Sequence, residues 1–367
     1  MQELREKAFA AVSVLADRYL QYETQFRSSS YLESQVRLDF LDEFWTALGW
    51  DVRHTQQFNP YRQEVRVEKS QDAGEQGRKR PDYTFYVEPE FRDPKFIVEA
   101  KRPGVAITDP DPLLQAIRYG WNAGLSVVVL HNFADFVVVD TRGRPDPRTA
   151  QSKVLLNLTL RQLCDQEHFD KVFYLFSRPA VAEGALIRFA QSLPTPKRTQ
   201  AQMGLFQGGY RAIDLDFLET LEEWRDHLAR NLKNHNHWMD SAALTECTQR
   251  ILDRLVLLRF LEDKQIETRI TINSINATHH VWSNFQKASR QLDSIYNGIV
   301  FKYHPLIDGA KLHVDEAAFA EICGALDPSV SDYDFAQIPI QILGSSYERF
   351  LAQVILAPHK RARAAAR

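Results

Sequence analysis

Two short segments hold the acidic and basic side chains with the clearest chemical potential, at 80–85 (RPDYTF) and 96–101 (FIVEAK). Asp82 and Glu99 are seventeen positions apart, and each stands at the end of an apolar, strand-like run. Pairing of the two runs as neighbouring strands would bring the carboxylates side by side, with Lys101 on the same face as Glu99 because side chains alternate along a strand. Carboxylate oxygens suit Mg²⁺, and an amine beside the metal can orient the water that attacks a phosphodiester.

The same pattern has an ordinary structural alternative. An Asp and a Glu-x-Lys at strand ends also form surface salt bridges, and the bare D…ExK spacing occurs often by chance. Pro81 before the aspartate, and the apolar run that continues up to Glu99, favour the metal-site interpretation.

The elements around these segments follow the order helix, strands, helix, strands. Apolar spacing predicts helices over 1–27, 32–48 and 112–121. Strand-like runs occur at 51–58, 83–87, 95–99, 125–130 and 136–140. This order predicts an α/β domain, with a mixed central sheet flanked by helices, that ends near residue 178.

RPDYTF…FIVEAKRP resembles the PD-(D/E)xK nuclease superfamily and, within it, the restriction-endonuclease-like domains of type IIG and type I restriction enzymes. The resemblance implies a DNA endonuclease that depends on Mg²⁺, with Mn²⁺ as a substitute metal. It assigns Asp82, Glu99 and the Ala100 carbonyl to the metal. It assigns Lys101 to the orientation of the attacking water.

The segment ESQVR at 33–37, followed by LGWDV at 48–52, resembles the first core helix of that superfamily. The resemblance makes Glu33 a further metal ligand, either directly or through water. The alternative is a solvated acid in the first turn of a helix, where the helix dipole favours negative charge.

Gln115 and Tyr119 resemble the QxxxY helix of RecB-like nucleases. They are four positions apart and therefore share one helical face. The resemblance places Gln115 beside the catalytic residues and assigns a DNA contact to Tyr119. The alternative is a helix that packs Tyr119 on the sheet.

Five basic residues flank the proposed site, although the formal net charge of the chain is −3. Lys101 is one of them, and we assign the other four, Arg78, Lys79, Arg80 and Arg102, to contacts with DNA phosphates. Such contacts position DNA and make binding salt dependent, but they do not specify a sequence. The alternative is a solvated charge run, because the segment 71–80 is rich in glycine and polar residues.

The second half of the chain has helical spacing. Helices are predicted at 214–232, 241–262, 283–296, 315–325 and 343–356. Segments 254–264 and 342–351 resemble the helical connector of type IIG enzymes and the helix that leads into their adenine methyltransferase domain. The predicted organisation is an N-terminal helix (1–30), a PD-(D/E)xK endonuclease domain (31–180), a linker (181–212), an all-α helical connector domain (213–357) and a basic tail (358–367).

Two motifs of an adenine methyltransferase, the Gly-rich S-adenosylmethionine loop and an NPPY-type motif, do not occur in the sequence. The resemblance therefore implies the front part of a restriction–modification enzyme, cut before its methyltransferase domain, so that S-adenosylmethionine would bind only through that domain. The implied partners are double-stranded DNA, the methyltransferase and target-recognition domains, and a second copy for double-strand cleavage. A GxxxxGK[ST] loop is also missing from the sequence, so no ATP site is expected.

Composition excludes several other classes of protein. The apolar runs are too short to cross a bilayer. Three widely separated cysteines without a CxxC pair favour a reducing cytoplasm. The sequence thus predicts the endonuclease part of a type IIG-like anti-phage enzyme; the alternative is a nuclease-like DNA-binding or scaffold protein that does not cleave.

Overall fold

The computed structural model describes residues 1–68, 80–194, 211–296 and 298–351. The chain divides into two compact units between Ile213 and Asp214. The first unit contains a β-sheet with helices on both faces. The regular secondary structure of the second unit is all helical within its described residues.

The sheet of the first unit has six strands, which lie side by side in chain order. The strands are β1 (Val65–Val67), β2 (Tyr83–Phe85), β3 (Phe96–Ala100), β4 (Val127–His131), β5 (Asp135–Asp140) and β6 (Val154–Thr159). β3 and β4 are parallel, and all other neighbours are antiparallel. This mixed sheet with flanking helices agrees with the predicted fold class.

Nine α-helices accompany the sheet in the described part of the first unit. They are α1 (Gln2–Gln21), α2 (Glu23–Phe26), α3 (Glu33–Val36), α4 (Asp42–Ala47), α5 (Pro110–Asn122), α6 (Leu160–Leu163), α7 (Gln166–Phe176), α8 (Arg178–Ala182) and α9 (Ala185–Ser192). A π-helical segment, Arg37–Leu41, joins α3 to α4 without a break, so the predicted helix at 32–48 is confirmed with one wide turn inside it. A short 3₁₀ helix, Ala150–Lys153, precedes β6.

The central strands are apolar on both sides because helices cover both faces of the sheet. All residues of β3 and β4 are buried. On one face Val98 and Val129 pack with Trp45 of α4, and on the other face Ile97 and Val128 pack with side chains of α5. The position of a residue in this alternating pattern therefore decides whether its side chain faces α4 or α5.

Helix α5 provides the crossover between the parallel strands β3 and β4, and it lies unusually close to the sheet. Gly120 makes this approach possible, since a Cβ atom there would stand 2.4 Å from Cγ2 of Val128 and 2.6 Å from Cγ2 of Thr141. This close packing fixes the distance between the side chains of α5 and strand β4.

The structure differs from the sequence-based expectations, or adds to them, at four places. The predicted strand at 51–58 is a loop, in which the Asp51 carboxylate accepts hydrogen bonds from three backbone N–H groups within 55–57. The sheet instead begins at β1, and β6 was not predicted. The stretch 181–212 is not all linker, because α9 occupies part of it and buries Leu186 in the core of the unit. Helix α1 is not a separate element, since Ala16 and Tyr19 belong to that same core.

The second unit consists of seven helices within its described residues. They are α10 (Arg211–His235), α11 (Ser241–Asp263), α12 (Ile272–Asn276), α13 (Val281–Tyr296), α14 (Pro305–Asp308), α15 (Glu316–Ala325) and α16 (Ile340–Leu351). Arg254 of α11 is fully buried, and its guanidinium contacts both carboxylate oxygens of Asp308 at 2.9 Å. The predicted helices of this half are confirmed where the structure describes them. Among the described residues, no helix is long and apolar enough to span a membrane.

Candidate active site

Asp82 and Glu99 meet at one end of the antiparallel pair β2–β3. Tyr83 lies opposite Val98, so the register extended by one residue places Asp82 opposite Glu99. Tyr83 and Val98 face the core that contains α4, and strand alternation therefore turns their two neighbours toward the opposite face. The predicted strand pairing that brings these two carboxylates together is confirmed.

Both oxygens of Asp82 accept hydrogen bonds. Oδ2 accepts the backbone N–H of Ala100 at 2.8 Å, and Oδ1 accepts Nη1 of Arg37 at 2.8 Å. Burial raises the pKa of the Asp82 carboxyl, and the charge of Arg37 opposes part of that effect. Asp82 is thus a nearly buried acid whose two oxygens have different partners.

Glu99 has one satisfied oxygen and one unsatisfied oxygen. Oε1 accepts hydrogen bonds from Nζ of Lys101 at 2.5 Å and from Nε2 of Gln115 at 2.6 Å. Oε2 is buried and has no hydrogen-bond partner among the described residues. Burial and the nearby charge of Asp82 raise the pKa of Glu99 to about 8, although Lys101 acts in the opposite direction. A buried carboxylate oxygen without a partner is costly, and such an atom suits a metal ion.

Lys101 lies between two acids. Its ammonium is 2.5 Å from Glu99 and 3.8 Å from Oε2 of Glu33 at the start of α3. Burial lowers its pKa, but the charges of Glu99 and Glu33 more than compensate, so the pKa of Lys101 is raised. Within the described ranges, no three His, Cys, Asp or Glu side chains form a group that could hold a metal ion. The structure thus brings Asp82 and Glu99 together, whereas Glu33 reaches Glu99 through Lys101.

Helix α5 supplies Gln115 and Tyr119 to the same site. Nε2 of Gln115 donates to Oε1 of Glu99 and, at 3.2 Å, to the hydroxyl of Tyr119. Tyr119 is buried and packs in the cluster between α5 and the sheet. Burial and the charge of Glu99 raise its pKa. The structure therefore places Gln115 beside the carboxylates, as expected, and it favours the packing alternative for Tyr119.

The proposed DNA-binding residues have different surroundings. Arg78 and Lys79 lie outside the described residues. Arg80 is exposed, next to the buried Pro81–Asp82 pair. Nη1 of Arg102 donates to the carbonyl of Ser29 at 3.0 Å, and this contact ties the loop after β3 to the loop before α3. None of these contacts tests DNA binding, which stays a prediction.

Sequence reasoning missed Arg37. It lies in the π-helical segment, four positions after Glu33, and its Nη2 donates to the carbonyl of Glu68 at 2.8 Å. Its guanidinium carbon also stands 5.2 Å from the centre of the Tyr83 ring. The spacing of four in ESQVR was the available signal, since residues i and i+4 share one helical face.

His131, at the end of β4, is a second residue that the sequence did not mark. Its carbonyl accepts the backbone N–H of Lys101 at 3.3 Å. Its imidazole is fully buried against Phe44 and Phe136, and neither ring nitrogen has a hydrogen-bond partner among the described residues. Burial lowers the pKa of His131 to about 3.

Comparison with known proteins relates the chain to a restriction enzyme. The chain is 29% identical over 345 residues to the Type II restriction enzyme and methyltransferase RM.Eco57I of Escherichia coli. The chain is related to restriction–modification enzymes. The match covers 93% of this chain but 33% of that relative, so the chain spans about a third of the relative's length. No protein-family model and no solved structure matches the chain.

Proposed function

We propose that the first unit is a PD-(D/E)xK endonuclease domain that hydrolyses DNA phosphodiester bonds with Mg²⁺. The observation that carries this proposal is the convergence of Asp82, Glu99 and Lys101 at the adjoining ends of β2 and β3. The similarity to a restriction enzyme supports DNA as the substrate. The second unit would serve as the helical connector.

The donor set fits a divalent cation. Oε2 of Glu99 is buried and has no hydrogen-bond partner in the described part of the chain, and Asp82 lies across the strand pair from it. Asp82, Glu99 and the Ala100 carbonyl would hold Mg²⁺, or Mn²⁺ in its place, with Glu33 completing the set directly or through water. Such a metal, when bound, polarises a phosphate oxygen and lowers the pKa of a coordinated water.

Lys101 and Gln115 would perform different tasks around this pair. The raised pKa of Lys101 keeps it protonated, so it would orient the attacking water and offset negative charge on the phosphate instead of removing a proton. Gln115 holds Oε1 of Glu99 and would leave Oε2 to the metal. Lys101 and Gln115 would therefore hold Oε1 of Glu99 in place, and Oε2 would bind the metal.

For the longer protein we propose a type IIG-like restriction–modification enzyme that acts in the cytoplasm in defence against phage. Its adenine methyltransferase domain would bind S-adenosylmethionine, and a target-recognition domain would select the sequence. In this chain Arg78, Lys79, Arg80 and Arg102 would contact phosphates. A second copy would supply the second cut in double-stranded DNA.

A plasmid-cleavage assay tests the proposal. We expect the chain to nick or linearise supercoiled DNA with Mg²⁺ or Mn²⁺ and to lose this activity with a chelator. Asp82→Asn and Glu99→Gln should abolish cleavage, while Asp146→Asn should not. Asp146 is the matched control, because it is an acid of the same unit that pairs with exposed Arg148.

The competing function is a nuclease-like DNA-binding or scaffold protein. That function predicts DNA binding by the unaltered chain without cleavage under any metal condition. If Asp82→Asn instead retained full cleavage, the chain would still be an endonuclease, but the assigned active site would be wrong.

A further inference from the structure

Arg37 is the counter-charge of Asp82, and its position is fixed by more than that one contact. Nη1 donates to Oδ1 of Asp82 and Nη2 donates to the Glu68 carbonyl, each at 2.8 Å. The guanidinium also stands over the Tyr83 ring, and the Arg37 side chain is 12% exposed. Because three groups hold the guanidinium, it does not leave Asp82 without cost.

Each of the two carboxylates already has a cationic partner in this arrangement. Asp82 pairs with Arg37, and Glu99 pairs with Lys101, which also lies 3.8 Å from Glu33. The unsatisfied oxygen belongs to Glu99, whereas both oxygens of Asp82 have N–H donors. A divalent cation that joins the two carboxylates must therefore share Asp82 with a cation that is already present.

We propose that Arg37 is a gatekeeper of the metal site, in the sense that its positive charge opposes the binding of a divalent cation there. When no metal is bound, its guanidinium holds Asp82. The proposal rests on the proposed function, since it takes Asp82 and Glu99 as the ligands. The repulsion arises because the metal ion and the guanidinium would contact the same carboxylate, at a separation where charges interact strongly in a buried site. A DNA phosphate that enters with the metal would supply the negative charge that relieves this repulsion.

The substitution that isolates the charge is Arg37→Gln. Glutamine is neutral and retains an amide N–H donor group on a shorter side chain. Arg37→Lys keeps the charge and loses the paired donors. Arg53→Gln is the matched control, because Arg53 forms an exposed ion pair with Glu43, also in the first unit.

The measurement is a titration of free Mn²⁺ by electron paramagnetic resonance on the whole chain without DNA. We expect Arg37→Gln to bind Mn²⁺ at least about tenfold more tightly than the unaltered chain. Arg37→Lys should bind close to the unaltered chain, and Arg53→Gln should not change affinity. The rise in melting temperature on addition of Mn²⁺ should be larger in Arg37→Gln, which gives a second measurement if this variant is less stable.

The outcomes separate this proposal from the function on which it rests. If Arg37→Gln binds Mn²⁺ equally well or more weakly, Arg37 is only a brace for Asp82 and the gatekeeper role is rejected. If Asp82→Asn binds Mn²⁺ as well as the unaltered chain does, the carboxylate pair is not the metal site, and the site on which the proposed function rests is rejected.

Discussion

Gln115 of α5 and Glu99 of β3 are joined by a hydrogen bond of 2.6 Å between Nε2 and Oε1. The bond connects the crossover helix to the strand that it follows, at a buried carboxylate.

Gln115→Met should lower cleavage by about 10- to 100-fold, because hydrogen bonds to charged groups contribute about 1.5–3 kcal/mol. Single-turnover cleavage at saturating Mg²⁺ measures the effect. Gln151→Met is the control, since the Gln151 side chain donates to the Thr108 carbonyl at the surface. Equal rates in the two variants would contradict the role of Gln115.

Lys101 should matter to the transition state more than to binding. Its ammonium lies between Glu99 and Glu33, so Lys101→Ala should lose cleavage by about 100-fold or more while it retains metal and DNA binding. Lys101→Arg should restore little, because a planar guanidinium does not replace a compact ammonium. Cleavage rates and filter binding distinguish these effects. Lys95→Ala is the control at the opposite end of β3, where Lys95 pairs with Asp93. Full activity in Lys101→Arg would show that cleavage requires a positive charge at this position but not specifically an amine.

The sequence was sufficient to predict the strand pair that carries Asp82 and Glu99. Asp82 directly precedes β2, and Glu99 follows three consecutive apolar residues in β3; mostly apolar runs of this kind are typical of buried strands. The run at 51–58 misled because Asp51 makes hydrogen bonds to the backbone of the next residues, and this local alternative competes with a strand.

The partner of Arg37 could not be assigned from the sequence, although the spacing of Arg37 from Glu33 indicated a shared helical face. Its partner Asp82 is 45 positions away, and the contact depends on a π-helical turn that no apolar spacing reveals. The orphan oxygen of Glu99 is likewise a property of packing, since it exists only because α5 and the sheet close around that side chain. Spacing thus identified the two acids and Lys101, whereas the pairing of Arg37 with Asp82 required the tertiary structure.

Gly120 should be necessary for the position of α5. In Gly120→Ala the new methyl group would meet Val128 and Thr141 well inside contact distance, and overpacking of this kind costs about 1–3 kcal/mol. This cost should exceed the gain of up to about 1 kcal/mol that alanine brings over glycine inside a helix. The free energy of unfolding should therefore fall in Gly120→Ala. Thermal unfolding measures the balance. Gly344→Ala in α16 is the control, since its Cβ meets no atom within 4 Å and only the gain remains. Equal effects of the two substitutions would show that α5 can shift freely.

DNA binding by this chain should be electrostatic. If Arg80 and Arg102 contact phosphates, double neutralisation to glutamine should reduce the slope of log affinity against log salt by about one to two units. Fluorescence anisotropy with random-sequence duplexes at several salt concentrations gives the slope. Arg148→Gln with Arg161→Gln provides a control of the same charge change elsewhere in the first unit. A slope that falls equally in both double variants would show a long-range charge effect without specific contacts.

His131 should make the first unit sensitive to acid. The folded protein keeps its imidazole neutral, with a pKa of about 3, whereas the unfolded chain takes up a proton near pH 6.5. Between these values the unfolded state binds more protons, so the free energy of unfolding falls as the pH is lowered, by up to about 1.4 kcal/mol per pH unit. His131→Leu removes this dependence and also removes two buried nitrogens without partners, so stability at pH 7 should stay level or rise by about 1–3 kcal/mol. Denaturant unfolding at pH 7.5, 6 and 5 measures both effects, with His168→Gln as the control because His168 is a surface residue paired with Asp165. If His131→Leu and His168→Gln lose stability in parallel as the pH falls, the buried imidazole is not the source of the acid sensitivity.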